Sequence, residues 1–281
     1  MYRKNKKRMS KAPKLLVLCP FVTGWIILTG SVAAQDAPPV RPMVGTDYSP
    51  YPDQNFPNRV FFGDTHLHTS YSADAGMIGN TLGPDKAYRF AKGETIISST
   101  GVKARLARPL DFLVVADHAE NLGLAPLLAA GDPKLLATEF GKMLKDQIDA
   151  GNPAGAWKIW SDSKATGKDP LANNQEIYQS AWSRITAAAE HHNQPGQFTA
   201  FIGFEWTSNP GKNNLHRNVI FRGGKQNADT VVPFSTFDSF DPEDLWSWMA
   251  RFEEKTGDKL LAIPHNGNLS NGLMFDDVTL G

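Results

Sequence analysis

Cysteine is almost missing: of 281 residues only Cys19 carries a thiol. A single cysteine forms no internal disulfide, and from residue 35 onward no thiolate is available for redox work or as a metal ligand. Acidic residues are missing from the first 34 positions, which hold seven basic ones: Arg3, Lys4, Lys6, Lys7, Arg8, Lys11 and Lys14. The chain has 29 basic and 29 acidic residues, so the part after residue 34 keeps 22 basic residues against 29 acids. That acidic excess excludes an extended basic groove for a nucleic-acid backbone. No G-x-S-x-G elbow, H-E-x-x-H pair or Gly-Lys-Ser/Thr phosphate loop occurs. A serine hydrolase and a nucleotide-triphosphate switch therefore lack their residues.

Long apolar runs are also scarce. Leu15 to Leu28 spans 14 residues and contains Pro20, which is short for a membrane span. With the basic stretch before it and Gly30-Ser31-Val32-Ala33-Ala34 after it, residues 1–34 read as a secretory signal cut after Ala34. Leu18 is too large to precede a lipidated cysteine, and no Arg-Arg pair marks the twin-arginine route. The expected location is periplasmic or secreted, with no stable membrane anchor after cleavage.

A Pro-rich arm over 35–57 precedes a chain that alternates strand and helix signals. Apolar stretches predict strands at 59–63, 111–116, 198–204, 215–221 and 259–263. Helices are expected at 84–92, from Asp132-Pro133 to Gly151, along the stripe Ile177, Ala181, Ile185 and Ala188, and from Asp241-Pro242 to Gly257. Trp157 and Trp160 are assigned to a polar loop and to core packing. This order predicts an α/β fold with a largely parallel sheet or barrel. Residues 121–197 form a helical insertion, read as a packing layer rather than a lid.

The ionisable residues follow the strands. Asp64, His66 and His68 come after 60–63 with a spacing that puts alternate side chains on one face of extended chain. Asp117 and His118 follow the second strand, with Glu120 two residues on; Glu205 follows the third and His265 the last. A hairpin turning near Gly211 would return His216 to the same end. In parallel α/β folds, sites form at the carboxyl ends of the strands. Imidazoles and carboxylates converging there have the chemistry of a divalent metal site. His191 and His192 close a helix and are read as surface residues.

At these residues the chain resembles the PHP (polymerase and histidinol phosphatase) superfamily of metal-dependent phosphoesterases. It resembles more closely an exported bacterial family carrying domain of unknown function 3604. The likeness runs through Phe61-Phe62-Gly63-Asp64-Thr65-His66-Leu67-His68-Thr69-Ser70-Tyr71-Ser72, Arg108 to Phe112, and Ala116-Asp117-His118-Ala119-Glu120. It continues through Gly203-Phe204-Glu205-Trp206 and Ile263-Pro264-His265-Asn266-Gly267-Asn268. The resemblance implies a distorted (β/α)7 barrel over 58–281, incomplete at its C-terminus, with two or three Mn, Fe or Zn ions. Carried over by motif, His66, His68, Asp74, His118, Glu205, His216 and His265 are the metal ligands, with Glu205 as the bridge. Asp117 and Glu205 are the candidate catalytic carboxylates. Asp64, Asp117 and Glu120 stand behind the ligands, and Arg217, Asn266 and Asn268 are candidate contacts to a small-molecule ester. The superfamily's late Asp-x-His pair has no counterpart before Gly281, as in the N-terminal part of a longer protein. The activity implied is metal-dependent phosphoester hydrolysis. An amidohydrolase-type site also begins with Asp-x-His-x-His, and a non-catalytic metal-binding module is the third reading.

Overall fold

The structure is a computed structural model that describes residues 59–276. The expected signal and the whole Pro-rich arm lie outside the described residues. Five strands form one sheet in the order β1 (Gly63–Leu67), β4 (Phe112–Val115), β5 (Thr199–Trp206), β6 (Arg217–Phe221) and β7 (Leu260–Pro264). A two-stranded ribbon, β2 (Ile96–Ile97) with β3 (Lys103–Ala104), stands apart. The α/β class is as expected. The pairing is mixed rather than largely parallel: β1, β4 and β5 run parallel, while β5, β6 and β7 pair antiparallel. The β5–β6 connection is short, and a short connection can join only antiparallel neighbours.

The sheet curls as a half-barrel. β1 and β7 are its two edges, yet the rings of His66 on β1 and His265 after β7 lie 3.9 Å apart. Asn218 of β6 also reaches across the inside to donate to the Thr65 carbonyl of β1 at 2.8 Å. Side chains alternate between the two faces. Leu113 and Val115 of β4, Ala200, Ile202, Phe204 and Trp206 of β5, and Val219 and Phe221 of β6 enter the main core under the helices. Their neighbours Val114, Ala116 and Ile220, with Phe201 and Ile263, form a smaller cluster on the other, concave face. Gly203 lies on that face, where a Cβ would press on Val114 Cγ1 at 2.5 Å and on the Val219 carbonyl at 2.9 Å.

Nine helices are among the described residues: α1 (Ala73–Met77), α2 (Pro84–Ala91), α3 (Leu124–Ala130), α4 (Pro133–Ala137), α5 (Glu139–Asp149), α6 (Pro153–Ala165), α7 (Gln175–His192), α8 (Lys225–Ala228) and α9 (Pro242–Thr256). None is long and apolar enough to cross a membrane. Proline at the first turn behind a capping Asp132, Asn152 or Asp241 starts α4, α6 and α9. Trp182 of α7 packs edge-on against Phe204, tilts over Phe221 and donates its indole N–H to the Ala228 carbonyl at 2.9 Å.

Three local readings change. The first strand is shifted: Phe61 and Phe62 are exposed, and pairing begins at Gly63. The helix expected from Asp132 to Gly151 is two, because extended Thr138 breaks it and caps α5 with a bond from the Gly141 N–H. Met143 and Ile148 consequently face outward. Trp157 and Trp160 lie on helix α6 rather than in a loop, and Trp160 is buried in the core.

Candidate metal centre

Strand parity delivers the site. Glu205 shares the concave face of β5 with Phe201 and Gly203, and His265 continues the parity of Ile263 beyond β7. His118 continues that of Val114 and Ala116, and His216 precedes β6 in step with Asn218 and Ile220. β1 contains a register shift between Asp64 and Leu67, and this bulge decides which side chains face inward. Before it, Asp64 pairs with core-facing Leu113; after it, Leu67 pairs with core-facing Val115. His66 and His68 therefore face the concave side and Asp64 does not. The even spacing of the three was misleading for that reason.

Five imidazoles make a closed circuit around one carboxylate. Successive ring centroids, from His66 through His68, His118, His216 and His265 back to His66, are separated by 5.0, 4.6, 5.9, 5.7 and 3.9 Å. Glu205 stands buried at the centre and splits its oxygens. Oε2 meets His68 Nε2 at 2.6 Å and His66 Nε2 at 3.0 Å. Oε1 meets His216 Nδ1 at 2.6 Å and His265 Nε2 at 2.9 Å. Asp74, in the first turn of α1, reaches His68 Nδ1 at 3.1 Å and His118 Nε2 at 3.3 Å. Three groups could each hold a metal ion: His66, His68 and Glu205; His68, Asp74 and His118; and Glu205, His216 and His265.

The electrostatics agree with a cation site. Burial would raise the Glu205 carboxyl, but the His118 charge and hydrogen bonds from His216, His265 and His66 hold it well below the usual range. Burial opposes charge on His68 too, yet its bonds to Asp74 and Glu205 push it up to about 10. His216 is lowered, with desolvation the main cause. A negative carboxylate ringed by nitrogen donors calls for a positive charge inside. His265 Nδ1 is moreover buried with no hydrogen-bond partner. Nitrogen and carboxylate oxygen donors without thiolate suit Mn, Fe or Zn.

Sequence reasoning missed the residues that aim these ligands. Thr207 Oγ1 lies 2.5 Å from His118 Nδ1, and Asn209 Nδ2 lies 2.9 Å from His216 Nε2. Ser72 donates to Asp74 Oδ1 at 2.5 Å and accepts the His118 N–H at 3.1 Å. Each sits close in sequence to a ligand, but small hydroxyl and amide residues carry no distinctive signal.

Other candidates lie elsewhere. Asp117 is buried and spends both oxygens on Thr69, accepting its N–H at 2.5 Å and its hydroxyl at 2.7 Å. It holds the chain between His68 and Asp74 in place, hydrogen-bonds Thr69 rather than an imidazole, and is raised by burial to about 6. Asp64 accepts the N–H of His66 at 2.8 Å and leaves the rings alone. Glu120 accepts the backbone N–H of Thr236 at 2.7 Å and, more weakly, that of Thr207 at 3.4 Å, so it stands behind the residue that orients His118. Arg217 is turned away and fastens Met274, donating to its carbonyl at 3.2 Å. Asn266 and Asn268 are exposed, and Asn266 turns the chain after His265 with φ of 56°. His192 is buried rather than on the surface, its Nε2 2.9 Å from Asp85.

Residues 55–281 match the family model described as a protein of unknown function, DUF3604. The chain belongs to the DUF3604 family. The ligand residues and the whole described region fall within the match. No curated protein and no solved structure matches.

Proposed function

We propose that this DUF3604 protein is an exported, metal-dependent hydrolase of phosphoesters, related in fold to the PHP superfamily and working in the periplasm or outside the cell. The observation that supports it most is Glu205, whose two oxygens each face a separate pair of imidazoles. That is the disposition of a carboxylate shared by two neighbouring cations. The leader over residues 1–34 supports export. The Asp117-His118 pair after the second strand, together with Glu205, favours this reading over the amidohydrolase type.

His66, His68 and Glu205 would hold one ion, Glu205, His216 and His265 a second, and His68, Asp74 and His118 a third. When bound, such ions supply Lewis acidity to a phosphoryl oxygen and make water nucleophilic near neutral pH. The chain's own part is orientation and charge. Thr207, Asn209 and Ser72 fix three of the ligands, and Asp117 anchors the Thr69 backbone between two more. His66 is the most open of the ligands, its side chain 35% exposed. The test is hydrolysis of 4-nitrophenyl phosphate by metal-loaded protein and by His66→Ala. The variant should lose turnover while keeping its circular dichroism; unchanged turnover would end the proposal.

A further inference from the structure

A cavity of about 690 Å³ opens next to residues that support the imidazole circuit, with no ligand residue in its own lining. Its wall includes Thr207 and Asn209, the two residues whose side chains bond directly to His118 and His216. The C-terminal part of α6 contributes Ser161 and Lys164 to the lining, and Lys212 stands on the β5–β6 turn. No acidic residue lines the cavity. Phe240 adds an apolar surface, and Thr236 lines it with a hydroxyl that is buried and without a hydrogen-bond partner.

The lysines differ from their neighbours. Lys158, on the same helix, is paired with Asp162 at 2.6 Å, and Lys145 and Lys225 pair with an acid one turn on. Lys164 and Lys212 have no ion-pair partner among the described residues. The Lys164 ammonium rests over the Trp160 ring, 3.9 Å from its centre, and Trp160 is locked in the core. A half-buried ammonium held on an indole face is positioned but not neutralised. Burial lowers its proton affinity, while Glu120, Asp74 and Glu205 act on it in the opposite sense, so it stands within the field of the cluster.

We propose that this cavity is the substrate subsite of the metal centre, and that Lys164 binds an anionic oxygen of the substrate. The substrates so selected are anionic esters, phosphate monoesters foremost, whose organic group fills the space against Phe240. The volume suits a small organic molecule rather than a polymer segment. The helical insertion is then partly a recognition element. This inference rests on the hydrolase reading, but the anion site can be measured without turnover.

The experiment titrates inorganic phosphate into metal-loaded wild type, Lys164→Met and Lys164→Arg by calorimetry. Metal content and 4-nitrophenyl phosphate kinetics are recorded in parallel. Methionine keeps the stem on Trp160, so folding is preserved. Loss of one charge-assisted bond should weaken phosphate binding about tenfold or more. KM for the phosphate ester should rise by a similar factor with kcat within about threefold, arginine should restore most of the loss, and the KM for the neutral ester 4-nitrophenyl acetate should stay unchanged. Equal phosphate affinity in wild type and Lys164→Met at equal metal content would overturn the proposal, as would a wild type that binds no phosphate. Phosphate binding that depends on Lys164 in a protein that turns over no ester keeps the anion site and removes only the hydrolase reading.

Discussion

The parallel and antiparallel halves of the sheet fill the same cluster by different routes. β1 and β4 supply His66, His68, Asp74 and His118 from chain that runs on directly beyond parallel strands, with the β1 bulge turning its histidines inward. β5 supplies Glu205 between the halves, while β6 and β7 supply His216 and His265 only because a hairpin brings the chain back. Support differs accordingly. On the parallel side Asp117, Ser72 and Thr207 clamp the ligands or the backbone between them. On the antiparallel side His216 has the exposed amide of Asn209, and His265 Nδ1 has no partner. The parallel half of the cluster is thus supported by more buried side-chain hydrogen bonds than the antiparallel half.

Glu205 joins the halves, so removing its charge has the largest expected effect. Glu205→Gln keeps the shape but should lower bound divalent metal at least about tenfold and abolish ester turnover, with little change in circular dichroism. Loss from one half alone, read as metal content dropping by a single ion, would break the comparison and show the halves to be independent.

Acidification acts mainly on the parallel half. A metal must displace the proton of His68, which is held up to about 10. Metal affinity should therefore fall about tenfold per pH unit below about pH 10 for that one proton, measured by chelator competition. The sign for folding is opposite. Protonated His68 stabilises the metal-free fold fully below its ordinary 6.5, and that contribution is lost as pH rises through about 10.

The smallest effects separate the supports. Thr207→Val should weaken metal binding about tenfold, because a buried imidazole loses the partner that orients it. Asn209→Ala should cost less, since the Asn209–His216 pair is open to water. The reverse order, from titrations of the two variants, would show that the antiparallel half is the firmer one.

Much of this centre was legible because imidazoles are few and strand ends are where α/β chains place chemistry. His66, His68, Asp74, His118, Glu205, His216 and His265 do converge. The parity of Asp64 was not legible, since a bulge depends on how β1 meets β4 and leaves no local pattern. The role of Asp117 was hidden for a similar reason. Its partner Thr69 is 48 residues away, and proximity to His118 in sequence suggested the wrong neighbour. Arg217 looked polar and available beside the site, but Met274, reached only in the folded chain, takes its guanidinium. The boundary at Thr138 was readable in principle: a threonine three residues before Gly141 is an ordinary cap, overlooked because the apolar stripe runs past it.

The central claim is that six residues at the ends of five strands, with Asp74 of α1, form a multinuclear metal site. Metal content by inductively coupled plasma mass spectrometry, on folded protein beginning at Gln35 and loaded with Mn, Fe or Zn, tests it most directly. Two to three ions per chain are expected from the three ligand groups, falling with Glu205→Gln. A folded chain that retains essentially no metal after loading would contradict the account.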